Sequence, residues 1–247
     1  MTELIDTDGT PLFMIHSSEM DFVTLIEHDY PPPIAFKDRQ SLQTWMDEHK
    51  LSADQIGKRD EENKVALVQG HVFPWGFEEG LSYRQVWASV NYTRYRDAVK
   101  FQIKSSEGAL KTVDLYDADH AVGQTRLAKR WPNAWVNMVL VESSVNRAIG
   151  AMMEKAPLEV EADDEQIMIN IECMLKTFLR REGNLQQADL RDYLQEIRSR
   201  FIEVKDRLIL SRTGLLDSLG LHVKLMSNNA TVFFDHLARE NNIPLLD

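Results

Sequence analysis

The stretch from Leu110 to Lys155 changes its hydrophobic period twice, and this change constrains the fold more than any other feature of the chain. Over Leu110 to Tyr116, Val113 and Leu115 alternate with polar residues, a strand pattern that delivers Asp119 and His120 at its end, where side chains leave a sheet. A second apolar run, Trp135 to Val141, follows Pro132 and Asn133, so the spacing predicts a hairpin with a long loop. Ser143 and Ser144 then offer an N-cap. Val145 to Lys155 has the period of a helix, with Ile149, Met152 and Met153 on its apolar face.

A strand-loop-strand-helix unit of this kind gathers Asp119, His120 and Asn146 around one ion if the first helical turn packs back against the hairpin. Asp and Asn supply oxygen ligands, which suit Mg2+ or Mn2+ better than Zn2+. A divalent ion on a scissile phosphate neutralises charge that develops in the transition state. His120, with an unperturbed pKa of about 6.5, would take a proton from the attacking water near neutral pH. The implied chemistry is hydrolysis of a phosphodiester.

These segments resemble the HNH (His-Me finger, ββα-metal) endonuclease family, in which an Asp-His pair ends the first strand, an Asn stands on the second and a His or Asn on the helix ligates the metal. Asn137 precedes Asn146 by nine residues, the family's common interval, and Asn146-Arg147-Ala148-x-Gly150 is similar to its Asn-Arg-x-x-Gly ending. The resemblance implies that Asp119 and Asn146 ligate the metal, that His120 is the general base, that Asn137 orients the loop and the histidine, and that Arg147 faces the phosphate. It covers residues 113–155 of 247. The connecting loop is longer than in compact members, with Lys, Arg and bulky residues in place of a Gly-rich turn. The Cys-x-x-Cys pairs that hold a structural zinc in many relatives are missing, since Cys173 is the only cysteine, so no structural zinc is expected.

Other residues near the motif carry two readings. Arg126, Lys129 and Arg130 in the hairpin loop would contact phosphates or form a solvated face. Trp131 and Trp135 would stack on bases or join the core, and core is the default beside a strand. Asp117 reads as a solvated turn residue and Asp114 as an exposed strand position. Cys173, among Ile169, Ile171 and Met174, reads as packing.

Charge is unevenly placed along the chain. The formal net charge is -11, yet residues 84–156 hold eleven Lys plus Arg against seven Asp plus Glu. Overall acidity argues against binding nucleic acid over the whole surface, whereas a basic segment within an acidic chain is what a catalytic module with acidic flanks would show. No apolar stretch approaches the length that spans a bilayer, and Met1 to Asp6 lacks the basic and apolar regions of a secretory signal. With one cysteine, the expected setting is a reducing cytoplasm.

In the amino-terminal region, Pro31-Pro32-Pro33 predicts a rigid turn, Asp38 to His49 a short helix and Val65 to Phe73 a buried strand. Ser82 to Val99 reads as a helix with Val86, Trp87 and Val90 inward and Arg84, Arg94, Arg96 and Lys100 outward, flanking a nucleic-acid groove. Beyond Pro157, the acidic Glu159 to Glu165 reads as a helix start, followed by a stripe of Ile167, Ile171, Met174, Leu175 and Phe178 that Gly183 stops. From Leu190, the residues Leu194, Ile197, Phe201, Val204 and Leu208 form an a/d seam, either intramolecular core or a dimer interface. A last helix is expected over Ala230 to Arg239. His222 and His236 have no ligand-spaced partner.

The expectation is an α+β protein: a mixed region over 1–81, an HNH-like module with its preceding helix over 82–157, and a helical region over 158–247. The expected function is a metal-dependent endonuclease using Mg2+ or Mn2+, acting on DNA rather than RNA, in a mobile-element, restriction or defence setting implied by the family. Its expected partners are nucleic acid and, through the carboxy-terminal helices, a protein or a second copy; no membrane is expected. The alternative is a non-catalytic interaction protein that keeps a degenerate ββα scaffold.

Overall fold

A computed structural model describes residues 17–56, 64–73, 81–107, 116–153, 158, 160–161, 163–181, 183, 185–211 and 220–244. The fold is α+β. Its centre is an antiparallel sheet in the order β2-β3-β4-β6-β1-β7, with β5 added against β6. The strands are β1 (Pro33–Phe36), β2 (Ser52–Gln55), β3 (Val65–Val72), β4 (Leu81–Ser89), β5 (Tyr116–His120), β6 (Trp135–Glu142) and β7 (Gln166–Met168). Strands from all three of the regions expected from sequence therefore share one sheet.

Strand β6 organises the sheet. Its first residues lie between β4 and β1, with Trp87 opposite Asn137 and Ala35 opposite Val136. Its remaining residues pair β5 from Tyr116↔Glu142 to His120↔Met138. Cross-strand partners share a face of a sheet and neighbours along a strand alternate. Ala118 and Met138 accordingly enter one buried cluster, while Val139 and Val141 enter a larger one on the other side.

The helices are α1 (Ser17–Glu27), α2 (Arg39–Glu48), α3 (Tyr95–Glu107), α4 (Gln124–Arg130), α5 (Ser143–Met153), α6 (Ile171–Phe178), α7 (Leu190–Ser211) and α8 (Gly220–Glu240). Asp38 caps α2 by accepting from the Ser41 amide at 2.9 Å, as its place before an amphipathic run leads one to expect. Helix α3 brings Ala98 and Val99 against Val86, Ala88, Ala118 and Met138. Helices α1 and α5 to α8 build the larger cluster, where the Phe201 ring lies 5.7 Å from Phe178 and 5.4 Å from Phe234. The seam residues Leu190, Leu194, Ile197, Phe201 and Val204 are all buried in this core. The Leu208 side chain and the Leu110–Leu115 pattern lie outside the described residues. Among the described residues, no helix is long and apolar enough to cross a membrane.

Four sequence expectations need correction. Residues 82–99 are not one helix: Leu81–Ser89 is β4, and α3 begins only at Tyr95. The positions of Val86, Trp87 and Val90 suit a helix in isolation, but the β-branched and aromatic residues here pair with β3 from Val65↔Ala88 to Val72↔Leu81, and that ladder prevails. Asp117 is not a turn residue but stands within β5, the strand that Asp119 and His120 close. The hairpin loop contains α4, whose Leu127 turns into the core. The carboxy-terminal region is not all helix: Ile167 belongs to β7, which pairs β1, and α6 starts after Asn170, whose side chain accepts from the Cys173 amide at 3.1 Å, and is capped at Leu179 before Gly183.

Two buried acids on α1 tie the helices together. Glu19, 1% exposed, pairs with Arg180 and with Arg200 at 3.3 Å. Glu27 is buried with the Lys205 ammonium 3.6 Å away, too far for a hydrogen bond. Burial pushes the Glu27 carboxyl up to about 7, with Lys205 pulling the other way. A carboxyl whose folded pKa exceeds its unfolded value stabilises fully below about pH 4 and loses that contribution as pH rises through the folded value. Thermal melts of the wild type should therefore fall more steeply from pH 5 to 9 than those of Glu27→Gln. In the same core, Phe201→Ala should cost about 3–5 kcal/mol in denaturant unfolding, through lost burial and the cavity left behind.

Candidate functional site

The site forms where β5, α5 and α6 meet. On β5, Asp117 and Asp119 face the same way, opposite Val141 and Val139, whereas Ala118 and His120 alternate to the other face, opposite Leu140 and Met138. Helix α5 follows β6 without a loop, and its Val145, Ile149 and Met153 are buried, which turns Asn146 toward β5. The Asn146 amide donates to Asp117 Oδ2 at 3.3 Å. The two residues meet although 29 positions separate them.

Asp119 is engaged from the other side. The Lys176 ammonium of α6 lies 2.8 Å from Asp119 Oδ2, and it also donates to the His120 carbonyl at 2.6 Å and reaches Glu172 Oε1 at 3.3 Å. Glu172 in turn pairs with Arg126 of α4. A Cβ on Gly123, at the start of α4, would lie 3.1 Å from the Arg126 guanidinium and 3.3 Å from Glu172, so the glycine leaves room for this pair. Burial alone would raise the Asp119 carboxyl, but His120 and Lys176 outweigh it and hold the group well below the usual carboxylate range. Burial likewise opposes the Lys176 charge, and the carboxylates of Glu172 and Asp119 override it, so the amine is held above its ordinary value.

His120 is 1% exposed, and among the described residues neither ring nitrogen has a hydrogen-bond partner; Nδ1 lies 3.8 Å from Asp119 Oδ1. The Tyr95 ring at the start of α3 meets the imidazole edge-on, with centroids 4.4 Å apart, and the Arg96 guanidinium lies over that tyrosine at 5.6 Å. Burial raises the Tyr95 hydroxyl pKa, opposed by Arg96 and assisted by the Asp119 and Asp117 carboxylates. Asn137 is fully buried, and neither side-chain amide atom has a hydrogen-bond partner among the described residues. Its carbonyl accepts from the Ala121 amide at 2.9 Å, which holds the chain just after His120.

The remaining sequence candidates separate into two groups. Arg147 is exposed one residue beyond Asn146, and Lys129 and Arg130 are exposed on α4, where Arg130 donates to the Val160 carbonyl at 3.1 Å. Arg126 is only partly exposed and serves Glu172. Trp131 and Trp135 are core, and a Cβ on Gly150 would meet nothing within 4 Å, so packing does not demand glycine there. Three site residues escaped the sequence reading: Lys176, Glu172 and Tyr95. A signal for two of them was present, because Glu172 and Lys176 are charges four apart within the mostly apolar Ile171–Phe178.

Among the described residues, no three His, Cys, Asp or Glu side chains gather as a metal cage. An ion here would draw on the amide oxygen of Asn146 together with Asp119, which is 21% exposed at its side chain. Those oxygens fit a hard divalent ion in donor chemistry. Compared with protein-family models, curated proteins and solved structures, the chain has no match.

Because the Asp119 pKa is depressed on folding, its stabilising contribution is present above about pH 4 and disappears as pH falls toward the folded value. Asp119→Asn should destabilise the protein at pH 7, and the gap to wild type should begin to narrow only below about pH 4 in melts taken down to about pH 2.

Proposed function

We propose that the chain is a metal-dependent endonuclease of the HNH type that hydrolyses phosphodiester bonds of DNA. The observation that carries this reading is the β5-β6-α5 unit, in which the buried side chains of His120 and Asn137 have no hydrogen-bond partner among the described residues, beside two carboxylates and the Asn146 amide. Orphaned buried polar groups cost stability, and a fold that served packing alone would gain by replacing them. Perturbed ionisable groups concentrated around such groups point toward a reactive site.

Asp119 and Asn146 would hold the ion, with Asp117 adjacent to Asn146. When bound, a divalent ion supplies charge neutralisation at the scissile phosphate and its leaving oxygen. His120 receives the proton of the attacking water at a ring nitrogen that has no hydrogen-bond partner among the described residues, once the Tyr95 ring gives access to it. The Asn137 carbonyl, bonded to the Ala121 amide, fixes the backbone beside the imidazole. Arg147, one residue past Asn146, and the exposed Lys129 and Arg130 meet phosphates of the bound strand.

One observation favours the alternative of a non-catalytic interaction protein: Lys176 already neutralises Asp119, as in a structural ion pair. Incubation of supercoiled plasmid with the purified protein in EDTA, Mg2+ or Mn2+ separates the two. The nuclease reading predicts metal-dependent cutting that drops by about 100-fold or more in His120→Ala, the usual size of a lost general base. Equal inactivity of both proteins with every metal would favour the scaffold.

A further inference from the structure

Helix α6 is buried along its whole length, and its eight residues include the charges of Glu172 and Lys176. An ammonium survives such burial only where oxygens replace the water it has lost. Lys176 Nζ has three such oxygens, from the His120 carbonyl at 2.6 Å, Asp119 Oδ2 at 2.8 Å and Glu172 Oε1 at 3.3 Å, one for each of its protons. A backbone carbonyl and two carboxylates are also the donors that a hard divalent ion takes.

A second observation stands apart from this cage. His120, 1% exposed, aims Nδ1 to 3.8 Å from the other oxygen of Asp119 and has no hydrogen-bond partner among the described residues at either nitrogen. One oxygen of Asp119 thus holds a tethered cation, while the other faces the His120 imidazole at 3.8 Å. Asp119 and Glu172 are balanced by Lys176 and Arg126 with no ion added.

We propose that Lys176 is the resident cation of the candidate site: its ammonium, caged by Asp119, the His120 carbonyl and Glu172, competes with divalent ions for Asp119 and keeps their affinity low. This rests on the reading of Asp119 as an ion ligand in a nuclease. Two cations on one carboxylate repel at close range, and in a partly buried setting water screens them poorly. Arg126 steadies the arrangement by gripping Glu172, so the ammonium returns to the same cage whenever the site is empty. The site is self-occupied, and activation amounts to drawing one side chain away.

The test is Mn2+ binding, followed by electron paramagnetic resonance of free Mn2+, to the full chain as wild type, Lys176→Met, Lys176→Gln and Lys176→Met/Asp119→Asn. Each variant is first checked for folding by circular dichroism. Both Lys176 variants should bind Mn2+ at least about tenfold more tightly than wild type, because a close competing charge has gone, and Asp119→Asn should cancel the gain. Equal affinities for wild type and the Lys176 variants, or a gain that survives Asp119→Asn, would overturn the proposal. If neither Lys176 variant folds, Glu172→Gln loosens the ammonium while keeping a hydrogen-bonding group for Arg126, and it should raise Mn2+ affinity by a smaller factor. No gain in Glu172→Gln would then overturn the proposal. Plasmid cutting measured on the same samples separates the two readings. Tighter Mn2+ binding without cutting upholds the resident cation and removes the nuclease, whereas cutting with no affinity gain does the reverse.

Discussion

The arrangement of this protein depends on the pairing of β6 with three neighbours. Its first residues lie between β4 and β1 and the rest pair β5, so one eight-residue strand sets the register of segments spread from Pro33 to His120. A slip of one residue would exchange the faces of β5 and bury Asp117 and Asp119 where Ala118 and His120 now stand. Because α5 leaves β6 without a connecting loop, the same register also decides where Asn146 arrives. The candidate site is thus a consequence of sheet geometry rather than of loop placement.

Around that geometry the electrostatics are unusually concentrated. Asp119, Glu172, Lys176 and Arg126 form a connected set of charges, all of them buried or only partly exposed, and the His120 and Asn137 side chains on β5 and β6 have no hydrogen-bond partner among the described residues. Buried ion pairs stabilise little in net terms, since desolvation offsets most of the attraction. Their presence is better explained by what they hold in place: an aspartate kept ionised, a carbonyl of the following residue fixed by the ammonium and an imidazole under a tyrosine ring. The Glu19 pairs with Arg180 and Arg200 show a contrasting use of buried charge, joining α1 to α7 and to the chain that follows α6.

The elements visible in the sequence were those with a long, undisturbed period. Strand β6, the run of α5 and the buried seam of α7 follow directly from Trp135–Val141, Val145–Met153 and Leu190–Val204. Strand β4 was hidden because Val86, Trp87 and Val90 also satisfy helical spacing, and only its pairing with the preceding strand β3 resolves the ambiguity. Strand β7 has three residues, too short to show a period, and it exists because β1 pairs with it. Asp119, His120, Asn137 and Asn146 could be singled out because they lie close together in the chain. Lys176 could not be joined to them, since its contact with the His120 carbonyl spans 56 positions. The charge pair Glu172 and Lys176 inside an apolar helix was legible as an anomaly, but its partners were not.

The most direct test of the account is to follow the Asn146 side-chain amide and the His120 ring by nuclear magnetic resonance in Lys176→Met during titration with Mn2+. Paramagnetic broadening falls steeply with distance from the ion, so it reports position without requiring activity. The account predicts that these two signals broaden first, ahead of groups at other acidic positions such as Glu161, Asp163 and Asp164. Loss of signal at those positions while Asn146 and His120 stay sharp would contradict an ion site at Asp119.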